Sequence, residues 1–376
     1  MKKLNIALVY DRVNKFGGAE RVLLAMHEIW PDAPLYTAVY DAGGARWADV
    51  FQVIPSFLEH FPFALKHHEL YAWLTPMAFE SFSFDGFDVV ISITSAEAKN
   101  IITKPSTMHI CYCLTPTRYL WSAIDQYESN PGIGVPDWIS AIGFKKIVST
   151  LRQWDMTASS RPDRYIAISQ LVSRRIGTYY HRNAVRIIYP PVDIDVFAGS
   201  RRERGATSDD GYFLVVSRLV GYKRVDLVID AFNELGWPLV IVGDGHERRK
   251  LVRQAKGNIR FVDSLTDQEL AHYYENCRAF VFAGEEDFGI AAAEAQAAGV
   301  PVVAYKKSGI AEVIVPGITG ELFEEQSADS LIAALEKCTH QWYDSSSCTL
   351  NAQRFSKERF KQEMEDTVLE LYTRYI

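Results

Sequence analysis

The sequence predicts an α/β protein built from two doubly wound domains, each a parallel sheet covered by helices. Three observations predict it. Short β-rich apolar runs alternate with helical patterns along the chain. A polar break at 198–211, AGSRRERGATSDDG, lacks apolar periodicity, and a fresh α/β series starts after it. At 376 residues, 48% hydrophobic and 23% charged, the chain is too long for one ordinary core and suits two.

The elements follow in order. Strands are expected at 5–10, 35–38, 51–54, 89–93, 109–113, 163–169 and 185–193 in the first half. A helix is expected from about Ala19. In the second half YFLVVS, PLVIVGDG, NIRFVD, CRAFVFA and PVVAY read as strands, and RVDLVIDAFNEL has helical spacing. FSKERFKQEMEDTVLELYTRYI, the last stretch, is an amphipathic helix. The domains are placed at 1–200 and 201–355, with 356–376 a C-terminal helix. Such sheets bind ligands at the C-terminal ends of their strands.

Composition narrows the function. A formal net charge of −7 argues against a nucleic-acid partner held by phosphate neutralisation. The five cysteines, Cys111, Cys113, Cys277, Cys338 and Cys348, show no metal-type pairing and are read as reduced thiols in a cytoplasmic setting. MKKLNIALVYD is read as a first buried strand, its apolar run being too short for a signal peptide, and no apolar stretch has the length of a membrane span. No metal site is expected. Neither a P-loop nor H-E-x-x-H is present, and GDGHER has Arg248 where a dinucleotide fingerprint needs its third glycine.

Three stretches carry candidate chemistry. FGGAER (16–21) follows the first strand, and Gly17 and Gly18 either bring amides to an anion or make a plain strand-to-helix turn. SRLVGYKR (217–224) follows the first strand of the second half, where Arg218 and Lys223, with Arg224 behind them, either straddle a diphosphate or are solvated charges. In EEDFGIAAAE (285–294), Phe288, Gly289 and Ile290 are expected to form the first helical turn, with free amides suited to an anion. Its acids decorate a helix start favourably, but that does not explain Glu294, two turns on among alanines. Glu286 and Glu294 are therefore expected to face hydroxyl donors on a sugar and a ribose.

Together these stretches resemble the retaining glycosyltransferases of sequence family 4. The resemblance rests on Glu286, Phe288, Gly289 and Glu294 in the pattern E-x-F-G-x-x-x-x-E, followed by AQAAGVPVVAY. It extends to GGAE (17–20), SRLVGYK (217–223), VGDG (242–245), SGIAEVIVPGITGELF (308–323) and RFSKERF (354–360). It implies a GT-B fold of two Rossmann-like domains facing a cleft, the last helix crossing back to the first domain. It implies that Arg218 and Lys223 hold a donor diphosphate, Glu294 the ribose and Glu286 a sugar hydroxyl. Gly17, Gly18, Phe288, Gly289, Ile290 and Gly243 would complete the donor cradle, and backbone groups at 262–264, Val262 among them, would meet the base. No cofactor or metal is implied: the nucleotide sugar is a substrate.

CYCLTPTRYLW (111–121) is similar to the Y-C-H-T-P-x-R-Y-x-W segment of bacterial mannosyltransferases of surface-polysaccharide and O-antigen assembly. Leu114 stands where that segment has histidine, which puts sugar identity and acceptor geometry in question. Thr115, Arg118 and Tyr119 remain to line the cleft. The resemblance thus points to transfer of a hexose, with GDP-mannose the first donor and a UDP-sugar the second, to a glycan or lipid-linked acceptor. A nucleotide-sugar isomerase or epimerase of the same fold is the alternative. Two aromatic or basic stretches, 56–79 with Lys66, His67 and His68, and 143–154 with Lys145, Lys146 and Arg152, suit either ordinary core or contact with an anionic membrane, which would place the protein on its inner face.

Overall fold

The computed structural model describes residues 3–65, 68–122, 137–198, 211–263 and 265–376, with 68–69 and 137–147 described by backbone alone. The chain divides into two units, Met1–Tyr189 with Lys361–Ile376, and Pro190–Phe360. The first division falls before 200 because Val192 bonds both ways at the entry to the last helix, its N–H to Phe355 (2.9 Å) and its carbonyl to Lys357 (3.1 Å). Residues 199–210, most of the polar break, lie outside the described residues, as do Lys66, His67 and Ser264.

The first unit is a seven-stranded parallel sheet of order β3-β2-β1-β4-β5-β6-β7. Its strands are β1 (Ile6–Tyr10), β2 (Leu35–Thr37), β3 (Val53–Pro55), β4 (Val89–Thr94), β5 (Met108–Cys113), β6 (Arg164–Ala167) and β7 (Ala184–Ile187). Its helices include α1 (Gly18–Ile29), α2 (Thr75–Glu80), α3 (Asp137–Ala158) and α4 (Gln170–Tyr180). The central strands β1, β4 and β5 are buried on both faces, as a helix-covered parallel sheet requires.

The second unit holds α5 (Ile194–Phe197), β8 (Tyr212–Val216), α6 (Val225–Leu235), β9 (Leu239–Val242), α7 (Arg248–Gln254), β10 (Ile259–Val262) and α8 (Asp267–Asn276). β11 (Cys277–Phe282), α9 (Ile290–Ala297), β12 (Val302–Tyr305), β13 (Gly320–Phe323), α10 (Ala328–His340) and α11 (Ser345–Ala352) complete it, before α12 (Lys357–Tyr375). Its parallel sheet runs β10-β9-β8-β11-β12-β13. Strand β13 has no counterpart among the expected strands: four residues, GELF, opened by a glycine and holding a glutamate, give too little apolar signal. α12 carries the chain back to the first unit, where Arg186 bonds Glu370 and Thr367, each at 3.0 Å, and Tyr372 bonds Asp88 at 3.1 Å.

Among the described residues no helix is long and apolar enough to cross a membrane, and no group of three His, Cys, Asp or Glu is placed to hold a metal ion. All five cysteines are buried and unbridged.

Candidate functional site

In each sheet the strand order reverses once, and the loops leaving the two strands at the reversal part to opposite sides, opening a crevice at their C-terminal ends. In the second unit the reversal lies between β8 and β11, which pair in parallel. The loops there are 217–224 and 283–289, so the fold itself brings SRLVGYKR beside EEDFGI.

Three glycines let backbone pack closely here, Gly284 between the two loops themselves, Gly243 against the first loop and Gly309 against the second. A Cβ on Gly284 would lie 2.6 Å from Lys223 Cα, one on Gly243 2.0 Å from the Ser217 carbonyl oxygen, and one on Gly309 2.3 Å from that of Asp287. Gly243 also takes φ +136°, open to glycine alone. Lys223 Nζ pairs with Glu286 Oε1, and its side chain is only 8% exposed, against 26% for Glu286. The Tyr222 and Phe282 rings lie 5.0 and 5.4 Å from the ammonium. Arg218 is exposed and donates to the Tyr222 hydroxyl at 2.8 Å. Arg224 is turned away, its Nε 3.1 Å from Asp226, in a left-handed conformation that caps α6.

α9 corrects one expectation. Its first residue is Ile290, and Gly289 is its N-cap at φ +102°, so Phe288 is not in the first turn. Phe288 is instead a buried anchor against the Phe355 ring at 5.2 Å. The amides without an intrahelical acceptor are those at the start of α9, from Ile290 and Ala291. Glu294, 5% exposed, accepts from the Tyr274 hydroxyl at 3.1 Å; a buried acid on a small-residue face is thereby oriented by α8. Gly243 and Val262 are linked, the glycine N–H donating to the Val262 carbonyl at 3.0 Å.

In the first unit the reversal lies between β1 and β4. Asp11 closes it, accepting from Thr94 Oγ1 (2.7 Å) and the amides of Ser95 and Ala98 (2.8 Å each). Gly17 is the N-cap of α1 and Gly18 its first residue. Glu20 of the GGAE stretch is buried and bonded to the Tyr10 hydroxyl at 2.6 Å, an internal role.

The segment holding Thr115, Arg118 and Tyr119 is secured by residues that sequence reasoning missed. Lys99, fully inside, contacts Asp155 at 2.5 Å and Thr117 at 3.1 Å. Asp155 also takes the Trp121 indole N–H at 2.7 Å. Burial, the largest single influence, works against the Lys99 charge, but Asp155 together with Tyr165 and Cys111 offsets it and holds the ammonium above its ordinary range. Glu97 accepts from Arg12 (2.7 Å) and from the Tyr119 hydroxyl (2.5 Å); burial first, then Glu97, keeps that hydroxyl protonated. Thr115 is buried, and its Oγ1 has no hydrogen-bond partner among the described residues. The signal for these residues was faint: a lysine, an acid and a tryptophan spread over 99–155 show no local pattern.

Arg152, read as a membrane candidate, bonds the Leu120 carbonyl at 2.6 Å and lies 5.0 Å from the Trp121 ring, beside buried Val148 and Leu151. It stays partly exposed and is tied to this small cluster through Leu120 and Trp121. The side chains of His68, Lys145 and Lys146 lie outside the described residues.

The comparisons with known proteins bear on this arrangement. The family Glycosyl transferases group 1 matches residues 197–355. A GDP-mannose-dependent alpha-mannosyltransferase of Mycobacterium tuberculosis is 36% identical over 151 residues, 37% of this chain and 40% of that protein. The O-antigen chain mannosyltransferase C of Escherichia coli is 26% identical over 230 residues, 58% of this chain and 60% of that protein. The chain thus spans about half the length of the curated relatives it matches. HepE of Anabaena, solved in complex with UDP and glucose, superposes with a TM-score of 0.70 at 18% identity, covering 97% of this chain and 99% of that one. The chain therefore has the GT-B fold of two Rossmann-like domains, and its residues 197–355 are a glycosyl transferases group 1 domain.

Proposed function

We propose that the protein is a retaining, metal-independent hexosyltransferase that moves mannose from GDP-mannose to a glycan or lipid-linked acceptor in bacterial surface-polysaccharide assembly. The observation that carries the reading is the Lys223–Glu286 pair, with Arg218 on Tyr222 in the same loop, at the β8/β11 reversal of a group 1 domain whose next helix is α9. In this reading the α9 amides and the two cations hold the donor diphosphate, and Glu286 and Glu294 take sugar and ribose hydroxyls. Thr115, Arg118 and Tyr119 serve the acceptor. The acceptor oxygen bonds the anomeric carbon on the face from which the diphosphate departs, and a leaving phosphate oxygen takes the acceptor proton. Arg218 and Lys223 offset the charge that builds on the leaving group, so no protein nucleophile is required.

Mannose and GDP are favoured by the names of the two mannosyltransferase relatives. A UDP-hexose is the second reading, favoured by HepE, solved with UDP and glucose. Exposed Phe63 (76%), Trp73 (53%) and Leu70 (50%) in the first unit would meet the bilayer that carries a lipid-linked acceptor. Incubation with GDP-mannose or UDP-glucose, with chromatography of the products, tests the reading. Slow nucleoside-diphosphate release from one donor is expected. Turnover of neither refutes it, and conversion to another nucleotide sugar without acceptor would instead identify an isomerase.

A further inference from the structure

Lys223 is nearly buried and its ammonium is occupied by Glu286, the residue to which the functional reading gives a sugar hydroxyl. Both assignments hold only if the pair opens when the donor binds. The backbone does not need to move for this. Gly284 presses the lysine turn against the end of β11. On the other side, Glu286 N–H donates to Ser308 Oγ at 2.9 Å, and its carbonyl accepts from Gly309 N–H at 2.7 Å. With main chain fixed on both sides, the exchange is a rotation of the Glu286 side chain.

We propose that Glu286 competes with diphosphate for Lys223 and thereby makes the site select a nucleotide sugar over the free nucleoside diphosphate. The proposal rests on the donor-site reading above. A buried ammonium stripped of its counter-ion is strongly unfavourable, so Lys223 exchanges one anion for another. The displaced carboxylate then lies beside the arriving phosphates and needs a hydrogen-bond donor. A hexose supplies hydroxyls. A free diphosphate supplies none and, with its unesterified terminal phosphate, carries more negative charge, so the carboxylate repels it. Arg218, exposed and bonded to Tyr222, offers its guanidinium to either ligand without such an exchange. Glu286 therefore penalises the product and not the substrate, which speeds product release after transfer.

The test is calorimetric binding of UDP, GDP, UDP-glucose and GDP-mannose to the wild-type chain, Glu286→Gln and Glu286→Ala, with thermal melts showing that the variants are folded. Both variants are expected to bind the matching nucleoside diphosphate at least ~5-fold more tightly, the low end of ordinary coupling free energies. Affinity for the nucleotide sugar should stay level or fall, so the preference ratio shifts towards product. Equal or weaker diphosphate binding by two folded variants overturns the inference while leaving the donor site intact. If the wild-type chain binds none of the four compounds, the donor reading itself fails and takes this inference with it.

Discussion

Gly284 holds the two charges of the candidate site together by having no side chain. Any Cβ there meets the backbone of Tyr222 and Lys223 at 2.6 Å, and backbone cannot swing aside as a side chain can. Gly284→Ala should push the lysine turn away from Glu286 and weaken nucleotide binding by about tenfold, ~1.4 kcal/mol, with an overpacking cost of ~1–3 kcal/mol in stability. Gly257→Ala, where a Cβ meets nothing within 4 Å, is the matched control and should change neither. Titration calorimetry and urea melts of both variants decide it. A second residue-scale expectation concerns His109, enclosed in β5 and 2.8 Å from Ser92. Burial, with help from the Arg161 charge, pushes its imidazole pKa down from 6.5 to about 3. The unfolded chain takes up that proton below 6.5 while the native state refuses it until about 3. Its contribution to stability is therefore complete above pH 6.5 and falls as pH drops through that window, by about 1.4 kcal/mol per pH unit. Urea melts at pH 7 and pH 4.5 should show a smaller loss for His109→Gln than for the wild-type chain; parallel losses would contradict it.

At the scale of elements, the Lys99–Asp155 pair ties α3 to the segments that follow β4 and β5. Both side chains are sealed from water, so deleting one leaves the other charged and uncompensated. Lys99→Met should cost about 3–5 kcal/mol, and Lys99→Met with Asp155→Leu should recover most of it. Chemical denaturation measures both, and a double variant no better than the single one would show that the pair is not the operative contact. Such a pair left no mark in the sequence, because its partners lie 56 residues apart. Strands were legible for the opposite reason: IALVY, VVISIT and MHICYC are local apolar runs buried on both faces, and the sequence places each within a residue. The start of α9 was misread by two residues because Gly289 takes a left-handed φ ahead of the helix, a backbone choice that residue spacing does not reveal; a Cβ there would also meet Ile310 at 2.2 Å. The residue types of the two loops at the β8/β11 reversal were visible from motif and resemblance. That Lys223 and Glu286 engage one another was not, since it depends on which two strands sit side by side.

At the scale of the molecule, the chain leaves its first unit near Tyr189 and returns to it at Lys361, so the second unit is an insertion between β7 and the body of α12. The return segment packs Met364 and Val368 into the first unit, both at most 1% exposed. Polar ties run along its length, from Lys361–Glu28 at 2.8 Å to the Tyr375 hydroxyl on the Pro105 carbonyl at 3.0 Å. Burying two such side chains stabilises by ~1.5–3 kcal/mol each, and the loss falls on the first unit alone, because the second keeps every residue from Pro190 to Phe360. A chain ended after Phe360 should therefore lose about 3–6 kcal/mol from the first unit. Scanning calorimetry should resolve a lowered first transition beside an unshifted second one, and limited proteolysis should cut first within residues 1–189. A single transition that moves as a whole would mean instead that the two units unfold as one.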